Sequence, residues 1–208
     1  MVLARVDARR EQHPGRPAEG EGRMTDDEAV LRCQDGDREA FRHLVEQYKG
    51  PLFGTAYLLT GNAAQAEEHV QETFLLAWRG IRTFRRGSAF KPWLMRILVN
   101  AVRSQQRKRS LATVPLEESI PLATPSSQHE AIEASEDRQA VRQALAQLSP
   151  EHRQVVVLRY FADLTVAQVA QSAGVREGTV KSRLHRALRH MRELLEQSGG
   201  MEVAGNGA

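Results

Sequence analysis

Apolar residues recur every three to four positions over most of this chain, the spacing of helices that bury one side. A short segment from Asp27 to Gln34 ends at Asp35-Gly36, and Asp37 stands where it can cap the helix that follows. That second helix carries Phe41, Leu44, Val45, Tyr48, Leu52 and Ala56, has Pro51 as an expected kink, and stops near Gly61-Asn62. A third is predicted from Ala63 to about Ile81. Its expected buried stripe is Val70, Phe74, Ala77, Trp78 and Ile81, which leaves Glu67, Glu68, Gln71, Glu72 and Leu75 on other faces. A loop from Phe84 to Lys91 follows, with Ser88 expected to cap a fourth helix that has Pro92 in its first turn. The apolar side of this helix is Trp93, Leu94, Ile97, Leu98, Ala101 and Val102, and it is expected to end in Arg107-Lys108-Arg109.

The rhythm then breaks. From Leu111 onward come Pro115, Pro121 and Pro125 with scattered serines, which reads as an extended linker over residues 111–137. Helices resume with Val141, Leu145 and Leu148, and Ser149-Pro150 supplies the cap and first residue of a helix through Phe161. Thr165 and Gln168 form a capping-box pair, Gly174 closes that short helix, and a long one follows with Val180, Leu184, Leu188, Met191 and Leu195 on one side. The expected fold class is all-α: two small helical domains, residues 25–110 and 138–197, joined by a flexible acidic linker. Residues 1–24, rich in Arg, Glu, Gly and Pro, and the Gly-rich tail 198–208 are expected to be disordered. Gly20-Glu21-Gly22-Arg23 can be encoded by a purine-rich ribosome-binding sequence, which makes Met24 an alternative start of translation to Met1.

Composition narrows the function. Of 208 residues only 5% are aromatic, which argues against a large sheet, and the single cysteine, Cys33, excludes an internal disulfide and a thiolate zinc cluster. No stretch approaches a membrane span and the start lacks the apolar core of a signal peptide, so no membrane insertion is expected. The net charge of +3 conceals segments of opposite sign: Arg79 to Ser110 holds 10 basic and no acidic residues, while Leu111 to Asp137 holds 6 acidic and no basic ones. An acid-free run of that length points to a polyanionic partner, and nucleic acid leads.

Two groups of residues give that partner a chemistry. Ala170, Gly174 and Val180 have the spacing of a helix-turn-helix: a small residue at the helix crossing, a left-handed turn and a core anchor. The second helix of that unit then presents Arg176, Thr179, Lys181, Ser182, Arg183, His185 and Arg186, donors suited to the phosphates and major-groove edges of a duplex. In the first domain Phe84, Phe90 and Trp93 are interleaved with Arg82, Arg85, Arg86, Lys91 and Arg96. Aromatic planes beside cations suit unstacked bases on a single strand.

The chain resembles the extracytoplasmic-function branch of bacterial sigma factors, the promoter-specificity subunits of RNA polymerase. The resemblance lies in Ala66-Glu67-Glu68-His69-Val70-Gln71-Glu72-Thr73-Phe74, in Ala77-Trp78-Arg79, in Phe84 through Trp93-Leu94 and Asn100, in Leu148-Ser149-Pro150 and in Gly174 through Arg183. It implies a non-enzymatic protein that needs no cofactor or metal. Its partners would be core RNA polymerase, at the clamp helices and flap, promoter DNA as duplex and melted strand, and an anti-sigma factor. It implies that Gln71, Glu72 and Leu75 engage the polymerase clamp. The −10 strand would meet the loop with Phe84, Arg85, Arg86, Ser88, Phe90 and Lys91 and the helix with Trp93, Arg96, Asn100 and Arg103, and the second domain would read the −35 duplex. The acidic linker would pass through the polymerase near the RNA exit path. The location implied is the bacterial cytoplasm, at the nucleoid when polymerase-bound.

Two positions depart from the family pattern. Ser104 stands where an aspartate is common, which is expected to raise nonspecific DNA affinity, and His69 replaces an apolar residue as an amphipathic side chain. The alternative function is a free-standing helix-turn-helix regulator, weakened by a first domain with no strand pattern or phosphoacceptor arrangement. An enzyme is disfavoured, since the most basic region has no acids and His185 and His190 face different directions on their helix.

Overall fold

The computed structural model describes residues 24–112 and 130–203, with side chains for 24–107 and 138–197. Eight α-helices and no strands occur among the described residues. The expected disordered start, most of the expected linker (113–129) and the last five residues lie outside them.

The first domain comprises α1 (Asp26–Gln34), α2 (Arg38–Thr60), α3 (Ala63–Gly80), a 3₁₀ turn (Ile81–Thr83) and α4 (Phe90–Ala112). Side-chain caps set its helix starts: the Thr25 hydroxyl accepts from the Glu28 amide, Asp37 from Glu39 and Ala40, and Asn62 from Gln65. Each such cap is worth about 1 kcal/mol. The Asp37 carboxyl sits below its usual range, chiefly through the Ala40 amide and then the Arg32 guanidinium bonded to it. Helix α2 runs unbroken through Pro51, and Gly61 ends it at φ +70°. Helix α4 begins at Phe90, two residues after Ser88, whose amide closes a turn on the Arg85 carbonyl. It extends to Ala112, three residues beyond the expected end.

Helix α3 is turned relative to its expected stripe. Ala66, His69, Thr73 and Ala77 are its buried residues, whereas Val70, Phe74 and Trp78 are only half-buried. His69 is thus a core residue, 2% exposed, and not an amphipathic surface side chain. Neither ring nitrogen has a hydrogen-bond partner among the described residues, and the nearest carboxylate, that of Glu72, stands 3.8 Å from Nδ1.

The second domain comprises α5 (Glu130–Gln147), α6 (Pro150–Val156), a π-helical turn (Val157–Phe161), α7 (Val166–Ala173) and α8 (Glu177–Val203). Helix α5 starts eight residues before the expected domain boundary, inside the stretch read as linker, and α8 continues past Ser198 to Val203. Leu145, Leu148, Val155, Leu158, Leu164, Val169, Val180, Leu184 and Met191 form its core. Arg153 gathers the C-terminal end of α5: Nε donates to the Leu145 carbonyl at 2.8 Å, and Nη2 to Ala146 at 2.6 Å and Leu148 at 3.3 Å. Carbonyls at a helix end lack the donors of a next turn; Leu145 also accepts from the Leu148 amide at 3.2 Å.

The two domains are packed on each other, chiefly α4 against α7 and α2 against the π-helical turn, and their buried residues form one cluster. This gives α4 two buried sides. Phe90, Leu94, Leu98 and Ala101 fall on one, and Pro92, Met95, Val99 and Val102 on the other.

Two predictions test this core. Leu is about the size of His69 and removes its orphaned polar atoms, so His69→Leu should stabilise by about 1 kcal/mol and raise Tm by ~2–4 °C. A lower Tm in calorimetry would mean that the imidazole has a partner. Cys33 is 1% exposed. Burial, with Asp37 adding and Arg32 opposing, pushes its thiol up to about 11, so iodoacetamide near pH 8 should modify it only after unfolding.

Candidate nucleic-acid interface

The helix-turn-helix is built from caps and a turn. Thr165 and Gln168 complete both halves of the capping box: the Gln168 amide donates to Thr165 Oγ1 at 3.3 Å, and the Thr165 amide to Gln168 Oε1 at 2.9 Å. Gly174 ends α7 at φ +67°, with its amide donating to the Ala170 carbonyl. A Cβ there would meet nothing within 4 Å, so backbone conformation and not space requires glycine. The Arg176 carbonyl accepts from Thr179 and Val180 at 3.0 and 3.1 Å, which starts α8, and Val180 is fully buried beneath it. Arg176, Lys181, Ser182, His185 and Arg186 are exposed, while Thr179 and Arg183 are half-buried. None of the described cations of α8 is in an ion pair with a described acid; the salt bridges observed all fall within residues 32–72.

The first-domain candidates divide into two groups. Phe84 and Phe90 are 7% and 2% exposed and pack with Trp93 and Tyr48, at ring centroid distances of 4.9 Å for Phe84 to Trp93, 5.9 Å for Phe84 to Phe90 and 5.5 Å for both Phe90 to Trp93 and Tyr48 to Phe90. In this arrangement they cannot offer a face to a base; they form the floor on which half-buried Trp93 rests. Their aromatic spacing suits a core as well as a stacking platform, and burial separates the two. Gln34 ties down the preceding loop, donating to the carbonyls of Ile81 and Phe84 at 3.0 and 2.8 Å while accepting from Arg86 Nε at 3.0 Å. Arg85 and Arg86 are exposed on it, Gly87 turns it at φ +74°, and Ser88 is half-buried.

Trp93, Arg96, Asn100 and Arg103 follow at spacings of three and four along the side of α4 left between its buried faces. Arg96 and Asn100 are exposed. Lys91, half-buried, stands off this row. Arg103 is half-buried, and its Nη1 donates to the Ala173 carbonyl at 2.8 Å. Its charge is disfavoured mainly by burial, then by Arg183 and Arg107 nearby, with Glu151 partly offsetting them. Ser104 is half-buried one step further on.

A third surface lies on α3. Gln71, Glu72 and Leu75 are exposed, Leu75 at 61% and its neighbour Leu76 at 40%. Gln71 and Leu75 line an apolar groove of about 570 Å³ completed by Arg38, Phe41, Phe74 and Trp78. Those four were not predicted as site residues. The signal for them is that Phe41, Phe74 and Trp78 are too many aromatics for a side that buries them only partly; Phe41 and Trp78 stand 4.9 Å apart there. No group of His, Cys, Asp or Glu among the described residues could hold a metal ion, and no described helix is long and apolar enough to cross a membrane.

Comparison with known proteins follows the same division. The family pattern Sigma-70 region 2 matches residues 44–111, and Sigma-70, region 4 matches residues 144–193. The ECF RNA polymerase sigma factor SigL of Mycobacterium tuberculosis is 37% identical over 161 residues, covering 76% of this chain and 90% of that protein. SigM of the same species is 35% identical over 177 residues, covering 85% and 87%. Among solved structures, the sigma factor RpoE in complex with the anti-sigma factor NepR from Bartonella quintana is 30% identical, with a TM-score of 0.65 over 76% of this chain and 98% of that one. CnrH, in complex with the cytosolic domain of CnrY, shares the fold at 22% identity and a TM-score of 0.63.

If the exposed α8 cations meet phosphate, Lys181→Ala should weaken duplex binding and reduce the slope of log affinity against log salt by about 1, leaving folding stability within ~0.5 kcal/mol of the parent. Fluorescence anisotropy at several salt concentrations checks it.

Proposed function

The chain belongs to the extracytoplasmic-function branch of the sigma-70 family and is an alternative sigma factor directing transcription initiation, and from that membership we propose how its surfaces divide the work. Residues 25–110 act as the region 2 domain, binding core RNA polymerase and reading the melted −10 strand. Residues 138–197 act as the region 4 domain, reading the −35 element as duplex and meeting the flap. The single observation that carries this division is that two cationic rows lie on different helices with different surroundings. The α8 row, Arg176, Thr179, Lys181, Ser182, Arg183, His185 and Arg186, projects from a helix-turn-helix, the shape that enters a major groove. The α4 row offers Trp93 beside Arg96, Asn100 and Arg103, an aromatic plane among donors, which suits a base already out of its stack. Arg85, Arg86, Ser88 and Lys91 would guide the strand along the loop, and Phe84 and Phe90 would support Trp93 from below.

Gln71, Glu72 and Leu75 bind the polymerase clamp, with the adjoining groove of Phe41, Phe74 and Trp78 receiving an apolar side chain of the partner. A 61% exposed leucine beside a partly buried aromatic set supports an interface there. An anti-sigma factor is a further partner, supported by the co-complex of the 30% identical RpoE with one. The site of action is the bacterial cytoplasm, at the nucleoid when polymerase-bound, with no cofactor.

Run-off transcription of fragmented genomic DNA by core polymerase, with and without this protein, tests the reading. New start sites sharing two upstream elements are expected; none, alongside duplex binding by the protein alone, would replace it with a free-standing regulator. Leu75→Asp should cut polymerase binding by tenfold or more, about 1.4 kcal/mol or greater, with duplex affinity and Tm unchanged. Pull-down with core polymerase beside anisotropy separates the two.

A further inference from the structure

The loop that carries Arg85 and Arg86 is fastened by a residue from another helix, Gln34 at the end of α1. Ile81 and Phe84, which precede the loop, are anchored by their buried side chains, and their carbonyls accept from Gln34 Nε2 at 3.0 and 2.8 Å. At the other end of the same amide, Oε1 accepts from Arg86 Nε at 3.0 Å. Gln34 is half-buried and is itself held in place. Helix α1 packs on the 3₁₀ turn, and the chain leaving α1 is closed by Arg32, whose guanidinium meets Asp37 at 2.7 Å and whose carbonyl accepts the Asp37 amide at 2.9 Å.

Only a side chain with two donors and an acceptor serves both ends of this arrangement, which leaves the amides, and asparagine is one methylene shorter. A carboxylate would face two carbonyl oxygens and cancel the charge of Arg86; an ammonium would face the guanidinium. The reversed amide would make both errors at once, so its partners settle its orientation. Arg86 is exposed, is in none of the salt bridges among the described residues, and gives only its Nε–H to Gln34. Its two Nη groups remain for a phosphate.

Resting on the reading of this loop as the guide of the −10 strand, we propose that Gln34 is a positioning residue for strand binding: it holds the loop by the Ile81 and Phe84 carbonyls and aims Arg86 at the phosphate backbone without touching DNA itself. An arginine left loose must be ordered when the phosphate arrives, and that ordering costs affinity. Gln34 removes part of the cost beforehand. Its effect therefore passes through Arg86 and leaves the number of phosphate contacts unchanged.

The test is fluorescence anisotropy of a labelled mixed-sequence DNA single strand with the full chain, at several salt concentrations, for Gln34→Met, Arg86→Ala and the double variant. Phosphate contact does not depend on base sequence, so no promoter need be known. Arg86→Ala should weaken binding and lower the slope of log affinity against log salt by about 0.7, the share of one contact on a single strand. Gln34→Met keeps every cation, so it should weaken binding about threefold with the slope unchanged. In the Arg86→Ala chain the same change should cost nothing further. Circular dichroism checks the fold, and Gln34→Asn, which keeps an amide at the helix end but falls short of Arg86, replaces Gln34→Met if that variant unfolds, with the same outcomes expected. Equal losses with and without Arg86, or no loss at all, would overturn the positioning role and leave the strand reading intact. Single-strand affinity indifferent to Arg86→Ala would overturn both. The sigma reading fails separately, if the parent chain opens no start sites with core polymerase.

Discussion

Helix α4 has to be buried on two sides and open on a third, and most of the molecule follows from that constraint. Its first side, Phe90, Leu94, Leu98 and Ala101, joins the α2 and α3 core; its second, Pro92, Met95, Val99 and Val102, lies on the side of the second domain. Roughly a third of the circumference is left for polar work, and Trp93, Arg96, Asn100 and Arg103 occupy it. A helix held from two directions has little freedom to rotate, so the donors on its free strip are fixed in register before any ligand arrives. Donors fixed beforehand bind at less cost, because ordering them at the moment of binding costs affinity.

The same arrangement explains how the chain tolerates 32 consecutive residues without an acid. Ion pairs do not offset these charges within the described residues. Neutral acceptors do some of that work: the Ala173 carbonyl for Arg103 and a glutamine amide for Arg86, and Arg153 outside the run is held the same way by the carbonyls of Leu145, Ala146, Leu148 and Leu59. A carbonyl holds a guanidinium in place without cancelling its charge, so the field toward a polyanion survives. An Asp or Glu in those places would hold the arginines as well and would weaken the field toward a polyanion. The cost is desolvation, seen in the lowered charge preference of Arg103 and Arg153.

How much of this was legible in the sequence depended on whether the signal was local. Most caps and turns were read correctly because each is settled by residues within four positions: Asp37, Ser149, the Thr165 and Gln168 pair, Gly61 and Gly174; Ser88 was not, since α4 starts at Phe90, two residues past it. The family motifs were legible for the same reason. Burial was less so, because it depends on what stands opposite. Met95 and Val99 are absent from the expected apolar side of α4, yet both are buried, on the side that faces the second domain. On α3 the hydrophobic choice of Val70, Phe74 and Trp78 over His69 and Thr73 misplaced the buried side by one position. Backbone packing put the polar pair inward, where Thr73 meets its own helix at the His69 carbonyl, 2.6 Å away. The aromatic trio at Phe84, Phe90 and Trp93 was legible as a cluster but not as a floor and a half-exposed ring, since interleaved arginines accompany both.

The domain division read from the proline-rich break therefore describes connectivity better than it describes the core. Two family patterns match separate stretches, 44–111 and 144–193, yet the buried residues of both form one cluster. A seam made of small and aliphatic side chains with a few carbonyl bonds can come apart without stranding a buried charge pair, which would cost several kcal/mol per ion. Once parted, the Arg103 and Arg153 guanidiniums and the Ser172 hydroxyl, which in the seam donates to the Pro92 carbonyl at 3.0 Å, return to water or to phosphate, and only the apolar side of α4 is left to be covered. A seam rich in ion pairs would have made the two domains one permanent body. Its absence among the described residues leaves them able to separate, as reading two elements spaced along a promoter requires.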